Sequence, residues 1–317
     1  MAQKDLLTII QNAQVELGLP QAASVIGNSD QTTQQMFALA NLEVEELRQA
    51  KDVGWTALQT EYNLVVSPPI DTTGDTALNS PVITNIPSTA GITAGYFYVA
   101  GSNIPVGARV LSVDSATQVT LTMEATAAEV GASIQFAQDT YPLPDDFNNY
   151  INQTWWDRTN RWQLLGPDSP QVRQWHLSGV VTTGPRRHFS QIGALANNYR
   201  IWPPPAEITE PLQLVFEYVS FNSIYVNGVL TTRAKYFAND ADVPVLNDRA
   251  IIMGIKWRFW QQKGLSWDTL RTDYDNYVQR LIGRDGGAKT LSMAPIYQSI
   301  LINSDQVQDG YFPGPAP

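Results

Sequence analysis

The sequence has no cysteine and only two histidines, His176 and His188, in 317 residues. The first absence excludes disulfide frameworks, thiolate zinc sites, iron–sulfur clusters and cysteine nucleophiles. The second leaves little from which to build a multi-histidine metal site or a histidine-dependent triad, so no metal, cofactor or catalytic residue is expected. No apolar run reaches the ~18 residues of a membrane helix, and Met1-Ala2-Gln3-Lys4-Asp5 lacks the apolar stretch of a secretory signal. No membrane partner is expected. Positive charge is scarce too: 20 Lys and Arg stand against 30 Asp and Glu, a net −10. An acidic chain is a poor general binder of nucleic acid, because phosphate affinity needs Lys and Arg to displace counterions.

What is present is a chain able to fold. Its 43% hydrophobic and 10% aromatic residues exclude disorder and collagen-like structure, and its length predicts two domains. Sixteen of the 20 basic residues fall between Asp139 and Thr290, with 15 acidic ones. Any anion-facing surface is therefore expected from that segment.

Helical spacing of Leu6, Ile9 or Ile10, Ala13 and Leu17 predicts a helix over 5–17, stopped by Gly18 and Pro20. Ser29 or Asp30 is expected to cap a second helix running towards Val53, with Met36, Leu39, Ala40, Val44 and Leu47 on one face. Residues 62–66 read as a strand. Between 67 and 138 Thr, Ser, Gly, Ala and Pro dominate, and β-branched runs at 82–84, 96–99, 108–113, 119–122 and 133–136 predict a small all-β module. It holds one basic residue, Arg109, and no Trp or His. Pairing of its flanking strands, 62–66 with 134–136, would make it an insertion at a hairpin tip.

Helical character is expected to return after Tyr141-Pro142-Leu143-Pro144-Asp145-Asp146-Phe147, a rigid turn whose Asp145 or Asp146 can cap the helix that follows; Trp155, Trp156 and Trp162 come after it. Ser169-Pro170 starts a short helix over 170–178. Residues 199–202 and 212–218 suggest a hairpin. Asn247 can cap a helix to Lys263, and Ser266 another ending at Gly283. Residues 291–317 have no helical period and carry four prolines, yet Ile296, Tyr297, Ile300, Leu301, Ile302, Tyr311 and Phe312 make them too apolar for an idle linker. They read as an extended arm that docks.

No constellation demands an enzyme. Gly283-Arg284-Asp285-Gly286-Gly287-Ala288-Lys289-Thr290 lacks phosphate-loop spacing and leaves a helix instead of entering one. Asn239, Asp240 and Asp242 lack the glycine and distal glutamate of a calcium loop. Asp145 with Asp146 reads as cap and dipole partner rather than an acid–base pair. The densest basic cluster, Arg186, Arg187 and His188, either meets phosphates or an acidic neighbouring subunit, or is an exposed loop paired with local carboxylates. The tryptophans serve either as core or as interface anchors.

The order of several motifs along the chain carries a resemblance. Gly54-Trp55 and Leu58 lead to the Tyr141–Phe147 turn, then Trp156-Asp157-Arg158-Thr159-Asn160-Arg161-Trp162, Leu165-Gly166-Pro167, Ser169-Pro170-Gln171 and Gly184-Pro185-Arg186-Arg187. Phe216-Glu217-Tyr218-Val219-Ser220, Lys256-Trp257-Arg258 and Lys263-Gly264-Leu265 complete it. This string, over 1–66 and 139–290, resembles the head-to-tail adaptor (head completion, tail accessory) proteins of short-tailed bacteriophages. The resemblance implies an α+β subunit: a discontinuous helical-bundle adaptor core from 1–66 and 139–290 with a β-hairpin region, an inserted β domain at 67–138, and a C-terminal arm at 291–317. It further implies a non-enzymatic virion protein at the portal vertex, forming a homo-oligomeric ring of about twelve copies between the portal and the tail or nozzle proteins. DNA would pass through with only weak, non-specific contact. Ile296, Tyr297, Ile300, Ile302, Tyr311 and Phe312 are then the expected portal or subunit contacts, and Arg186, Arg187 and His188 the candidates for the lumen or a subunit seam. The β domain's partner is open: tail parts, fibres or the host surface. A surface- or receptor-binding virion protein acting through that domain is the alternative.

Overall fold

A computed structural model describes residues 3–52, 54–178, 187–192 and 198–286. Five helices occur among them: α1 (Leu6–Glu16), α2 (Gln31–Gln49), α3 (Pro170–Ser178), α4 (Asp248–Gln262) and α5 (Asp268–Arg284). Local chemistry sets their starts. Asp5 accepts a bond from the Thr8 amide at 2.9 Å, Asp30 from that of Thr33 at 2.8 Å, and Asn247 from that of Ala250 at 3.2 Å, each satisfying a first-turn donor that the helix cannot pair itself. α5 departs from expectation: its cap position is Trp267, without a side-chain bond, and not Ser266.

Four of these helices share one core. Leu6, Ile9 and Ile10 of α1, Met36, Leu39 and Leu47 of α2, Ile251 and Ile255 of α4, and Tyr274 and Val278 of α5 are buried together. α4 is central, packing on α1, α2 and α5. It approaches α2 closely because Gly254 has no side chain: a Cβ there would lie 2.1 Å from Cδ of Glu43. Glu43 is wholly buried, paired with Arg258 and accepting from the Tyr274 hydroxyl at 2.5 Å.

A helical-bundle core is nevertheless the wrong description of the chain. The described residues form four antiparallel sheets of five, three, three and six strands, and β-structure dominates from Gln59 to Pro244 outside α3. The expected helix after Phe147 is replaced by short strands, Phe147–Tyr150, Trp156–Asp157 and Trp162–Gln163. The physical reason is strand pairing: Trp156 and Asp157 lie opposite Val215 and Leu214, and Trp155 at 2% and Trp156 at 45% exposure take the two faces of an extended chain. Asp146 caps nothing; it accepts bonds from the hydroxyls of Tyr218 and Ser220.

The largest sheet of this half is organised by Leu212–Ser220, paired over eight positions with Gln59–Val66 on one side, and with Trp156–Asp157 and Phe147–Tyr150 on the other. Leu212, Leu214, Phe216 and Tyr218 enter an aromatic core with Trp155, Phe189 and Tyr199, while Val219 joins the helical core. Trp155 stacks between Phe189 and Phe216, with ring centroids 4.1 and 3.9 Å away. Gly54, at φ +78°, comes so close to Val219 that a Cβ would sit 2.5 Å from its Cγ2, so this turn tolerates only glycine. The hairpin expected between 199–202 and 212–218 is absent. Asn198–Trp202 instead pairs with His188–Ile192 and Thr140–Pro142 in a separate sheet.

Residues 70–138 carry the six-stranded sheet, with Glu129–Gln138 between Ile70–Thr76 and Phe97–Gly101. Its core contains Ile83, Ile86, Val99, Val110, Val119 and Phe136. The strand at 134–136 therefore does not pair with 62–66, because Leu212–Ser220 and Ile70–Thr76 offer each a longer partner. Arg109 joins this sheet to its neighbour, donating to Asp139 and, at 2.7 Å, to the Gly95 carbonyl.

Candidate functional site

The arm residues Ile296, Tyr297, Ile300, Ile302, Tyr311 and Phe312, and Arg186, lie outside the described residues. Arg187 and His188 are described, and adjacent positions send them to different surroundings. Arg187 donates to the Pro203 carbonyl at 2.9 Å and borders a cavity of ≈ 230 Å³ with Asp157, Asn160, Trp162, Gln163 and Leu164. Burial pulls its guanidinium below the ordinary value, with Asp157, Tyr141 and Glu207 pulling the other way. His188 turns towards Asp168.

The His188–Ile192/Asn198–Trp202 hairpin builds this second environment by simple alternation. His188 pairs with Trp202, and Ser190 with Arg200; all four border one small cavity, whereas Tyr199 and Ile201 fill the aromatic core with Phe189. The 165–168 loop is latched alongside. Leu165 N donates to Arg187 O, Phe189 N to Leu165 O and Asp168 N to Phe189 O, each at 2.9 Å. This ladder fixes Asp168 next to His188. Ser169 then starts α3, accepting from the Val172 amide at 3.3 Å, and two turns later α3 returns His176 to the same point.

The chain's two imidazoles thus meet over one carboxylate. His188 Nδ1 lies 3.1 Å from Asp168 Oδ1, His176 Nε2 lies 3.6 Å from Asp168 Oδ2, and the ring centroids are 4.4 Å apart. Burial, and then the nearby His188, hold the His176 imidazole below its ordinary value against the opposing pull of Asp168. His176 Nε2 and Trp202 Nε1 are buried without a hydrogen-bond partner among the described residues. Arg173 and Arg200 also border the cavity. Arg200 is engaged elsewhere, its Nε 3.6 Å from Asp139 and 3.2 Å from the Thr140 hydroxyl.

Asp168, His176 and His188 are, among the described residues, the group able to hold a metal ion, with ligand atoms all within 4.8 Å of one another. Sequence reasoning missed it by counting histidines instead of placing them. The Ser169-Pro170 helix start was the available signal, because it fixes the turn on which His176 falls. Of Asp145 and Asp146, the latter is committed to the hydroxyls of Tyr218 and Ser220. Asp240 and Asp242 are likewise occupied by backbone amides, those of Val25 and Ile26, and of Asn227, Ala238 and Asn239.

The Trp156–Gln163 hairpin is a second feature. Asp157 is buried and accepts from the backbone and side-chain amides of Asn160 at 3.0 and 2.9 Å, while the Thr159 hydroxyl accepts from the Gln213 amide. The polar residues thus build the turn. Trp156 and Trp162 remain 45% and 42% exposed. No helix among the described residues is long and apolar enough to cross a membrane. No protein-family model and no curated protein matches the chain.

Proposed function

We propose that this chain is a structural virion protein of a short-tailed bacteriophage, an adaptor whose copies form a ring, of about twelve, between the capsid portal and the tail. The observation that carries the reading is the Trp156–Trp162 segment. It is one of the motifs behind the adaptor resemblance, and its fold spends the polar residues on a tight turn while leaving two tryptophans half exposed. Exposed tryptophans are costly in a lone subunit and are favoured anchors between subunits. Closed cyclic assembly covers such surfaces without leaving open edges. The net charge of −10 also suits a conduit that must let DNA slide, since it limits counterion-release affinity. The chain acts on this reading by shape and shared surfaces, without catalysis, and the arm at 291–317 supplies portal contacts.

Electron microscopy of the purified full chain, alone and with the portal protein of the same virion, tests the proposal. Rings are expected on portal vertices. The double variant Trp156→Ala, Trp162→Ala should keep its circular dichroism spectrum while ring assembly falls at least ten-fold. A chain that stays single in the presence of its portal would sink the reading.

A further inference from the structure

We propose that Asp168, His176 and His188 form a binding site for a zinc-class divalent ion that clips α3 onto the His188–Trp202 hairpin. Three independent features converge on it. The first is economy. The protein has two histidines in 317 residues, one on a helix and one on a strand, and the fold brings their rings to 4.4 Å.

The second is how α3 is held. Among its described side chains, Val172, Gln174 and Trp175 are exposed, and His176 alone is buried. A helix of this length normally rests on an apolar stripe; among the described side chains of α3 the buried one is an imidazole whose Nε2 has no hydrogen-bond partner among the described residues. Burying such an atom costs free energy unless a ligand or donor satisfies it.

The third is the geometry of the donors. Zinc–nitrogen and zinc–oxygen bonds near 2.1 Å at tetrahedral angles place ligand atoms about 3.4 Å apart. His188 Nδ1 stands 3.1 Å from Oδ1 of Asp168 and His176 Nε2 3.6 Å from Oδ2, with one ligand atom of each residue within 4.8 Å of the others, a set that needs only a small closure to reach that spacing, and the adjoining cavity of ≈ 10 Å³ matches a single ion or water. Two imidazoles and a carboxylate, without thiolate, suit zinc, cobalt or nickel rather than calcium or magnesium. Binding through Nδ1 of His188 leaves its proton on Nε2, so the ring ligates as a neutral group. Arg200 is committed to Asp139 and the Thr140 hydroxyl, and among the described residues the ion pairs of Asp168 are with His176 and His188 alone. With three protein ligands the ion keeps a fourth position, open to water or to a group from a neighbouring copy.

The test uses the full chain without a polyhistidine tag, stripped with chelator and titrated with zinc and, separately, cobalt. One equivalent per chain is expected to bind, with a rise in melting temperature, slower hydrogen exchange over 170–178, and the visible ligand-field absorption of tetrahedral cobalt. His176→Ala should weaken zinc binding at least ten-fold and abolish the cobalt spectrum. His176→Asn, which keeps a polar side chain of similar reach, should do the same in a chain whose circular dichroism is unchanged. Absence of saturable one-to-one binding, or equal binding by the His176 variants, would overturn the assignment and leave an ordinary hydrogen-bonded His188–Asp168 pair. This result is independent of ring assembly, so either proposal can fail without the other.

Discussion

At the scale of single residues, Glu43 is the most exposed to substitution, because it is a charge with no solvent at all. Its carboxylate is balanced by Arg258 and the Tyr274 hydroxyl, and its space exists only because residue 254 is glycine. Arg258 also pairs with Glu46, so removing Glu43 leaves the guanidinium one carboxylate but takes the acceptor from the Tyr274 hydroxyl, a loss of about 1–3 kcal/mol. Glu43→Ala is expected to cost this much in urea unfolding. Gly254→Ala adds a methyl that must displace the carboxylate, a loss of about 1–3 kcal/mol. Since that cost arises from Glu43 itself, the double variant should lose clearly less than the two single losses combined. Additive losses would show that the two residues do not contest the same space.

Between elements, the C-terminal end of α5 illustrates how charge ties distant segments together. Asp285 sits where the helix dipole disfavours an acid, yet it accepts from Lys51 Nζ at 2.5 Å and from the Thr56 amide at 2.9 Å. Burial works against its charged form, but the Lys51 bond, the Thr56 amide and the Lys51 charge outweigh it and hold the carboxyl below its ordinary value. A folded value below the unfolded one contributes stability above the unfolded value, near pH 4, and loses it as pH falls through the folded value. Asp285→Asn should therefore cost about 1–2 kcal/mol at pH 7, and the difference from wild type should shrink in acid, as pH falls below the ordinary aspartate value of about 4. Urea titrations at pH 7 and in acid measure it; a difference independent of pH would contradict the assignment.

For the molecule as a whole, the six-stranded sheet of residues 70–138 joins the rest through a few polar contacts and the edge-to-face pair Tyr98–Trp202. Arg109, its one basic residue, reaches Asp139; Asn198 donates to the Tyr96 hydroxyl at 3.1 Å; and Gln135 donates to the Ala206 carbonyl at 3.1 Å. Its core is its own. Arg109→Ala is expected to leave both parts folded while raising protease cleavage near 67–69 and 138–140 several-fold, read by mass spectrometry of the fragments. A global drop in melting temperature without localised cleavage would show that the sheet and its neighbour unfold as one body.

Much of the local structure was legible because short-range chemistry decides it. Asp30, Asn247 and Ser169-Pro170 mark helix starts, and the β-branched run 82–84 forms the strand Val82–Thr84. Strand pairing was not legible. Ile70–Thr76, with only one strongly apolar residue, was missed because its place depends on the partners Glu129–Gln138 and Val82–Thr84. The helix expected after Phe147 does not form because Asp157, Thr159 and Asn160 build a turn and Trp156–Asp157 pairs with the distant Leu212–Ser220.

The sequence by itself determined the caps, the turns and the chemical inventory: no thiol, two imidazoles and an excess of acid. Only the tertiary structure decided which strands pair, that Glu43 is interior, and that His176 and His188 share Asp168. Caps and turns depend on neighbours within a few residues, whereas each of these outcomes depends on a free energy summed over segments far apart along the chain.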